Sequence, residues 1–316
     1  MIYIKSYLLR RLILLVPLLL GITLLVFISI NFIPGDPVKI MLGIEATGEM
    51  VEQLRIEHGL NQPLYIQYFS WLGRIMKGDF GRSIVSGNAV ASEITKRWPV
   101  TLQLVFLSSA LSIIIAIPAG IISAVKQNSF VDYFIRVISL SFISLPSFAM
   151  AIFLILFVSL VYGWMPPLGF ANLWESPLIA LQILALPVIA LGVRLSAVLS
   201  RMLRSTMLEV LREDYIRTAR AKGLKERTIV YKHAVKNAFI PVLTMIGMQI
   251  GYLIGGTVII ELVFSLPGLG RFLLTGIHNR DFPVVMAITL LIAVSFALIN
   301  TIVDILYGVF DPRIKY

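Results

Sequence analysis

Cysteine is absent from this 316-residue chain, which excludes disulfides, thiolate-held metals, iron–sulfur clusters and a thiol nucleophile. Charge is scarce: Asp, Glu, Lys and Arg together make 14% of the residues, against about 25% in an ordinary soluble domain. The three histidines, His58, His233 and His278, lie far apart without a His-Glu-x-x-His pairing, so zinc has no ligand set. Also missing is G-x-x-x-x-G-K-[ST], the loop whose backbone N–H groups and lysine cradle nucleotide phosphates. Without it the polypeptide is not expected to hydrolyse ATP itself. Asp79-Phe80-Gly81 copies a kinase triplet but has no Gly-rich loop or catalytic loop beside it. Gly268-Leu269-Gly270 lacks the third glycine and the strand–helix setting of a dinucleotide site. Nucleophile–base pairs for an intramembrane enzyme are equally short in supply.

What the chain has in quantity is apolar surface: 58% of residues, with a mean hydropathy of +0.90. Runs free of charge fall at about 12–33, 99–125, 137–162, 176–193, 240–260 and 282–303. A charge at a helix centre costs roughly 2.5–3.5 kcal/mol on insertion, and about 20 apolar residues cross the hydrocarbon layer. These gaps therefore predict an all-α membrane protein with six transmembrane helices. Gly163, Pro166, Pro167 and Gly169 end the third span near Tyr162. The first run, preceded by Lys5, Arg10 and Arg11, is longer than a signal-peptide core and lacks a small-residue cleavage pattern, so it is expected to stay as a helix.

The net charge of +10 carries orientation rather than nucleic-acid binding. Segments 1–11, 126–136, 194–236 and 304–316 hold 18 basic against 7 acidic residues; 34–98, 163–175 and 261–281 hold 9 against 10. The basic set belongs inside, which puts both termini in the cytoplasm. The chain then divides into an N-terminal end and first helix (1–33), an extracytoplasmic helical region (34–98) and a five-helix core (99–316) that includes the inner loop 194–236.

In the outer region Met50 and Leu54, then Tyr65, Phe69, Leu72 and Met76, recur at helical spacing on either side of residues 59–63. Two short amphipathic helices are expected, forming either a cap on the membrane face or a contact surface for a partner. Inside the spans Arg194 and Asp304 sit at the ends, where snorkelling accounts for them. Asn31, Gln103, Gln182, Gln249 and Asn300 fit a polar path or interhelical hydrogen bonding equally well. Gly247, Gly251 and Gly255 repeat every four residues, the spacing of a close helix contact, which serves a fixed interface or a sliding one.

Residues 201–236 are the most informative segment. Leu208, Leu211, Tyr215 and Ala219 make a helical stripe, with Arg212, Glu213, Arg217 and Arg220 on the polar side. Gly223 interrupts it, and Ile229 and Val230 resume it in a second short helix. A bent helical pair of this charge fits two roles: lying on anionic lipid, or docking as a rigid knob on a cytosolic protein.

Asp214-Tyr215-Ile216-Arg217-Thr218-Ala219-Arg220-Ala221-Lys222-Gly223-Leu224 followed by His233-Ala234-Val235-Lys236-Asn237-Ala238-Phe239-Ile240-Pro241 resembles the EAA loop of binding-protein-dependent ABC importer permeases, within the dipeptide, oligopeptide, glutathione and nickel group. Where the general motif has Glu-Ala-Ala, this chain has Arg217-Thr218-Ala219, so only the second alanine and Gly223 match. The resemblance extends to Ile33-Pro34-Gly35-Asp36-Pro37, Gly78-Asp79-Phe80-Gly81-Arg82-Ser83, Glu261 to Gly270, Arg280-Asp281-Phe282-Pro283-Val284 and Asp311-Pro312-Arg313, nearly the whole chain.

That resemblance implies a type I ABC importer permease fold, with a MetI-like core, an extra N-terminal helix and a small extracytoplasmic helical region. It implies a multi-pass subunit of a bacterial or archaeal plasma membrane that forms half of a path for di- or oligopeptides. The implied partners are a second homologous permease subunit, two cytosolic ATPases and an extracytoplasmic solute-binding protein. No cofactor is expected in this chain, ATP and Mg residing on the ATPases. Asp214, Tyr215 and Arg217 to Leu224 would form the ATPase contact, the small Ala219 and Gly223 letting the backbone enter a groove on the ATPase. The alternative is an ion-gradient-driven secondary transporter or channel, which calls for midplane ionisable residues or broken helices at matching places in two halves.

Overall fold

The computed structural model describes residues 2–31, 47–57, 61–167 and 169–310. Ile33 to Pro37, His58 and Asp311 to Arg313 lie outside them, as do the side chains of Asn31, Leu54 and Asp304. Among the described residues regular structure is helical, apart from one antiparallel bridge between Arg82 and Ala89. In order the helices are α1 (Ile2–Asn31), α2 (Gly48–Glu57), α3 (Leu64–Met76), α4 (Val90–Val125), α5 (Phe130–Ser144), α6 (Ser147–Tyr162), α7 (Pro177–Leu211), α8 (Asp214–Ala221), α9 (Glu226–Gly256), α10 (Val258–Val263), α11 (Leu269–His278) and α12 (Phe282–Phe310).

Among the described residues α4, α7, α9 and the Phe282–Val303 part of α12 are long and apolar enough to cross a bilayer. The sequence places one span over 137–162; the chain instead forms α5 and α6, bent by 102° as a broken span or a re-entrant pair, so the described residues hold four or five candidate spans. Pro146 causes the break. Proline removes an N–H and drives the residue before it out of the helical region, and Leu145 is extended at ψ 126°. Only this one bent pair occurs among the described residues. The described apolar stretch of α1, Ile13–Ser29, is shorter than the four spans. The helix expected over 176–193 also runs on, through Arg194, Arg201 and Arg204 to Leu211, so the first part of the expected inner loop is helix.

Two compact units are present, and they group the chain differently from the linear segments: the first joins 1–101 with 267–297, the second joins 102–266 with 298–316. In the first, Tyr68 of α3 is buried on α1. Its hydroxyl lies 2.8 Å from Thr23 Oγ1, and its ring meets Phe27 edge-on at 5.5 Å. Of the expected stripe Tyr65, Phe69 and Met76 are exposed and Leu72 is half-buried, because Tyr68 and Trp71, one turn apart, fill the contact with Phe27. The same unit gathers three of the separated motifs. Asp281 is buried and accepts from Ser83 Oγ and from the Ile84 N–H (3.2 Å), pinning the 81–90 turn to the start of α12. Val90, Ile94, Leu269, Val284, Ala287 and Ile288 form the apolar core beneath it.

The second unit is built on α7, against which α4, α5, α6 and α9 pack. Here α4 and α7 come unusually close. A Cβ on Gly120 would lie 2.9 Å from Leu203 Cβ, and one on Gly192 about as near to Leu111 and the Ser108 carbonyl. In the expected glycine strip Gly247 makes a close approach: a Cβ there would overlap Val303 of α12. Gly251 is buried and Gly255 is half-buried.

Candidate coupling elbow

The elbow begins where α7 stops. Arg212 and Glu213 donate to the Glu209 and Val210 carbonyls (3.1 Å each), and Glu213 then turns extended at ψ 147°, so helix restarts at Asp214. That break resets the helical phase. Ile216, fully buried, takes the inward position that an unbroken stripe would give to Tyr215, which is 42% exposed. Ile216 is also the one large aliphatic residue between Leu211 and Leu224, a signal legible in the sequence.

Ile216 and Ala219 sit in the same apolar cluster as Leu199, Leu203 and Met207 of α7 and Ile229, Val230 and Ala234 of α9. Ala219, read from the sequence as a small residue for a partner's groove, faces the chain's own core at 8% exposure. Its small size is needed there, since methylenes added to a packed core cost about 1–3 kcal/mol. The outer side of α8 is exposed: Asp214, Tyr215, Arg217, Thr218, Arg220 and Ala221 face outward, and so do Lys222, Gly223 and Leu224 beyond it.

The turn after α8 closes in the two-bond pattern of a helix C-terminal glycine motif. Gly223 N–H donates to the Arg220 carbonyl (2.9 Å) and Leu224 N–H to the Ala219 carbonyl (3.3 Å). Gly223 takes φ +77°, which an L side chain adopts at a cost of about 1–2 kcal/mol, and nothing lies within 4 Å of where its Cβ would be. Across the turn Arg220 grips Glu226 with a two-pronged pair, Nη2–Oε1 2.7 Å and Nε–Oε2 3.2 Å. Those hydrogen bonds raise the arginine pKa, partly opposed by desolvation. Both side chains are about half exposed, so the pair sets geometry more than stability. Asn237 Nδ2 donates to Tyr215 Oη (2.8 Å), a second tie from α8 to α9.

The first part of α9 is π-helical over Ile229–Ala234. Bonding five residues apart brings Ile229 and Ala234 to one side, and both are buried against α7 and α8. The whole device is thus a short helix whose inner face is cemented to two long helices and whose outer face is bare.

Other residues singled out in the sequence resolve individually. Gln103 Nε2 donates to Asn172 Oδ1 (2.9 Å), and its carbonyl accepts from Leu173 N–H (2.9 Å). Gln249 Nε2 donates to the Leu195 carbonyl on α7 (3.3 Å), so both amides serve as ties within the unit. Gln182 is exposed and Asn300 half-buried. Arg194 lies within α7 rather than at a helix end, and its Nε is buried without a hydrogen-bond partner among the described residues.

Four helices long and apolar enough to cross a bilayer, with a short exposed helix packed beside them, define an all-helical membrane protein. Known proteins agree. The family described as "Binding-protein-dependent transport system inner membrane component" matches residues 116–316, and its N-terminal counterpart, "Binding-prot-dependent transport system membrane comp, N-term", matches 4–105. The chain belongs to this family of ABC importer permeases, multi-pass proteins of the bacterial inner membrane. It is 42% identical over 311 residues to the "Glutathione transport system permease protein GsiC" of Shigella flexneri serotype 5b (strain 8401), covering 98% of this chain and 99% of that one. The protein of that name from Escherichia coli (strain K12) matches to the same extent. Among solved structures, inward-facing MetNI methionine ABC transporter is similar at TM-score 0.58 and 18% identity, over 69% of this chain and 96% of that chain. This likeness is one of fold.

Proposed function

We propose that this chain is one of two homologous membrane subunits of an ATP-driven importer for peptides, each subunit lining half of the path. The carrying observation is the elbow: exposed on one side, locked to α7 and α9 on the other. The relatives' name, glutathione transport, supports peptides as the solute class, glutathione being a tripeptide. In this reading two separate ATPases hold ATP and Mg and grip residues Asp214 to Leu224 except the inward Ile216 and Ala219, and a solute-binding protein delivers the peptide from outside. Both termini and the elbow then lie in the cytosol, in keeping with the excess of basic residues in 194–236. Counting α1 as a span and α5–α6 as one gives six.

Reconstitution separates this reading from an ion-gradient carrier. Proteoliposomes holding both permease subunits and the ATPases should accumulate radiolabelled glutathione or trialanine only when ATP and the binding protein are supplied. Liposomes holding the purified chain alone should accumulate neither. Uptake by the chain alone under an imposed proton or sodium gradient is the contradicting result.

A further inference from the structure

Asp132 is wholly buried and ion-paired, and the coupling elbow as read above makes no use of it. It stands at the third position of α5, where Ser129, the residue before the helix, accepts from its backbone N–H (3.3 Å). Its side chain collects four donors. Arg204 of α7 reaches it with both prongs, Nε to Oδ1 and Nη2 to Oδ2, each at 2.8 Å. Ser123 Oγ, on the last turns of α4, donates to Oδ1, and the Asn128 N–H of the α4–α5 turn donates to Oδ2 at 3.0 Å. Asn128 holds φ +62°, a left-handed conformation that turns its N–H into the site. A two-pronged arginine–carboxylate pair fixes direction as well as distance, unlike a lone charge contact.

Position gives this knot its meaning. Arg204 lies between Leu203 and Met207, both fully buried in the cluster that holds Ile216 and Ala219 of the elbow. One face of a single α7 turn therefore lies in the apolar cluster that also holds α8, while Arg204 beside it holds the end of α4 and the start of α5. Farther along the same seam Ser139 Oγ and Ser200 Oγ lie 3.5 Å apart, a weak contact beside this one. Stability alone does not call for a buried pair, because apolar residues of similar volume commonly do as well. A pair that fixes direction earns its place where two helices have to move as one.

We propose that Asp132 and Arg204 form a strut that carries displacement of the elbow through α7 to the α4–α5 turn, making both positioning residues for transport. This rests on the elbow being the coupling contact, and the test keeps the two claims apart. In the cysteine-free chain, spin labels are placed on cysteines substituted at Gln127, in the turn, and Thr218, on the elbow. The distance between them is measured in the full importer, nucleotide-free and trapped with ATP and vanadate. With the strut intact the distance distribution should be the same in both states. With Asp132→Asn it should differ between the states by more than the width seen in the parent, and Arg204→Lys, which keeps charge but loses the fork, should fall between. If Asp132→Asn impairs assembly, Arg204→Lys and Ser123→Ala alone decide the question in complexes recovered at parental yield. Identical distributions in parent and variants overturn the strut, even where Thr218 is in contact with an ATPase. Absence of that contact overturns the elbow instead.

Discussion

Gly223→Trp is expected to insert normally and to lose uptake while ATP hydrolysis continues. The chain itself has room for the ring, since nothing lies within 4 Å of the Cβ position. Two costs remain. The positive φ costs about 1–2 kcal/mol in any L residue, and Gly223→Ala measures that part alone. The second is the partner's: a bulky side chain in the middle of a packed interface costs on the order of 2 kcal/mol or more, about thirtyfold in an equilibrium constant. Uptake per ATP in proteoliposomes should therefore fall steeply in Gly223→Trp and little in Gly223→Ala. Ala219→Trp behaves differently, because its side chain points inward. It should reduce folded protein rather than uncouple it, read as a loss of thermal stability in detergent. Normal uptake per ATP with Gly223→Trp would remove the elbow from the mechanism.

The largest stability effect is expected at Gly247. A Cβ there would overlap Val303 of α12, so α9 and α12 have to separate to admit even alanine. Overpacking of this kind costs roughly 1–3 kcal/mol. Gly247→Ala should lower the unfolding midpoint followed by tryptophan fluorescence, and Val303→Ala in the same chain should restore much of it. The double-mutant cycle should give a coupling of about 0.5–3 kcal/mol, as touching residues do. Additive effects would show that the two helices are not held at this contact. Uptake decides between the two uses of the glycine strip: a fixed interface loses uptake only in step with folded protein, a sliding one loses more.

Much of the architecture was legible because bilayer physics is coarse. Charge-free runs located the helices, and the Asp214–Leu224 motif located the elbow, with Gly223 at its turn. What went astray depended on phase rather than composition. Pro146 was visible in the sequence, yet a count of charges passes over it, and one expected helix became two. Tyr65, Phe69 and Met76 keep a helical period as well as Tyr68 and Trp71 do, and only the position of Phe27 on α1 decides which side is buried. The break at Arg212–Glu213 likewise exchanged Tyr215 for Ile216. The Asp132–Arg204 pair spans 72 residues and carries no local motif beyond the Ser129 cap, so its two halves read as ordinary loop charges.

The absence of native cysteine makes the central claim directly measurable. A single Thr218→Cys substitution places one thiol on the exposed side of α8. In right-side-out cells a membrane-impermeant maleimide should leave it unlabelled; in inside-out vesicles it should be labelled, and assembly with the ATPases should protect it and yield a cross-link to them. Labelling from the outer side, or an assembled importer in which this thiol stays open and never cross-links to an ATPase, would contradict the account.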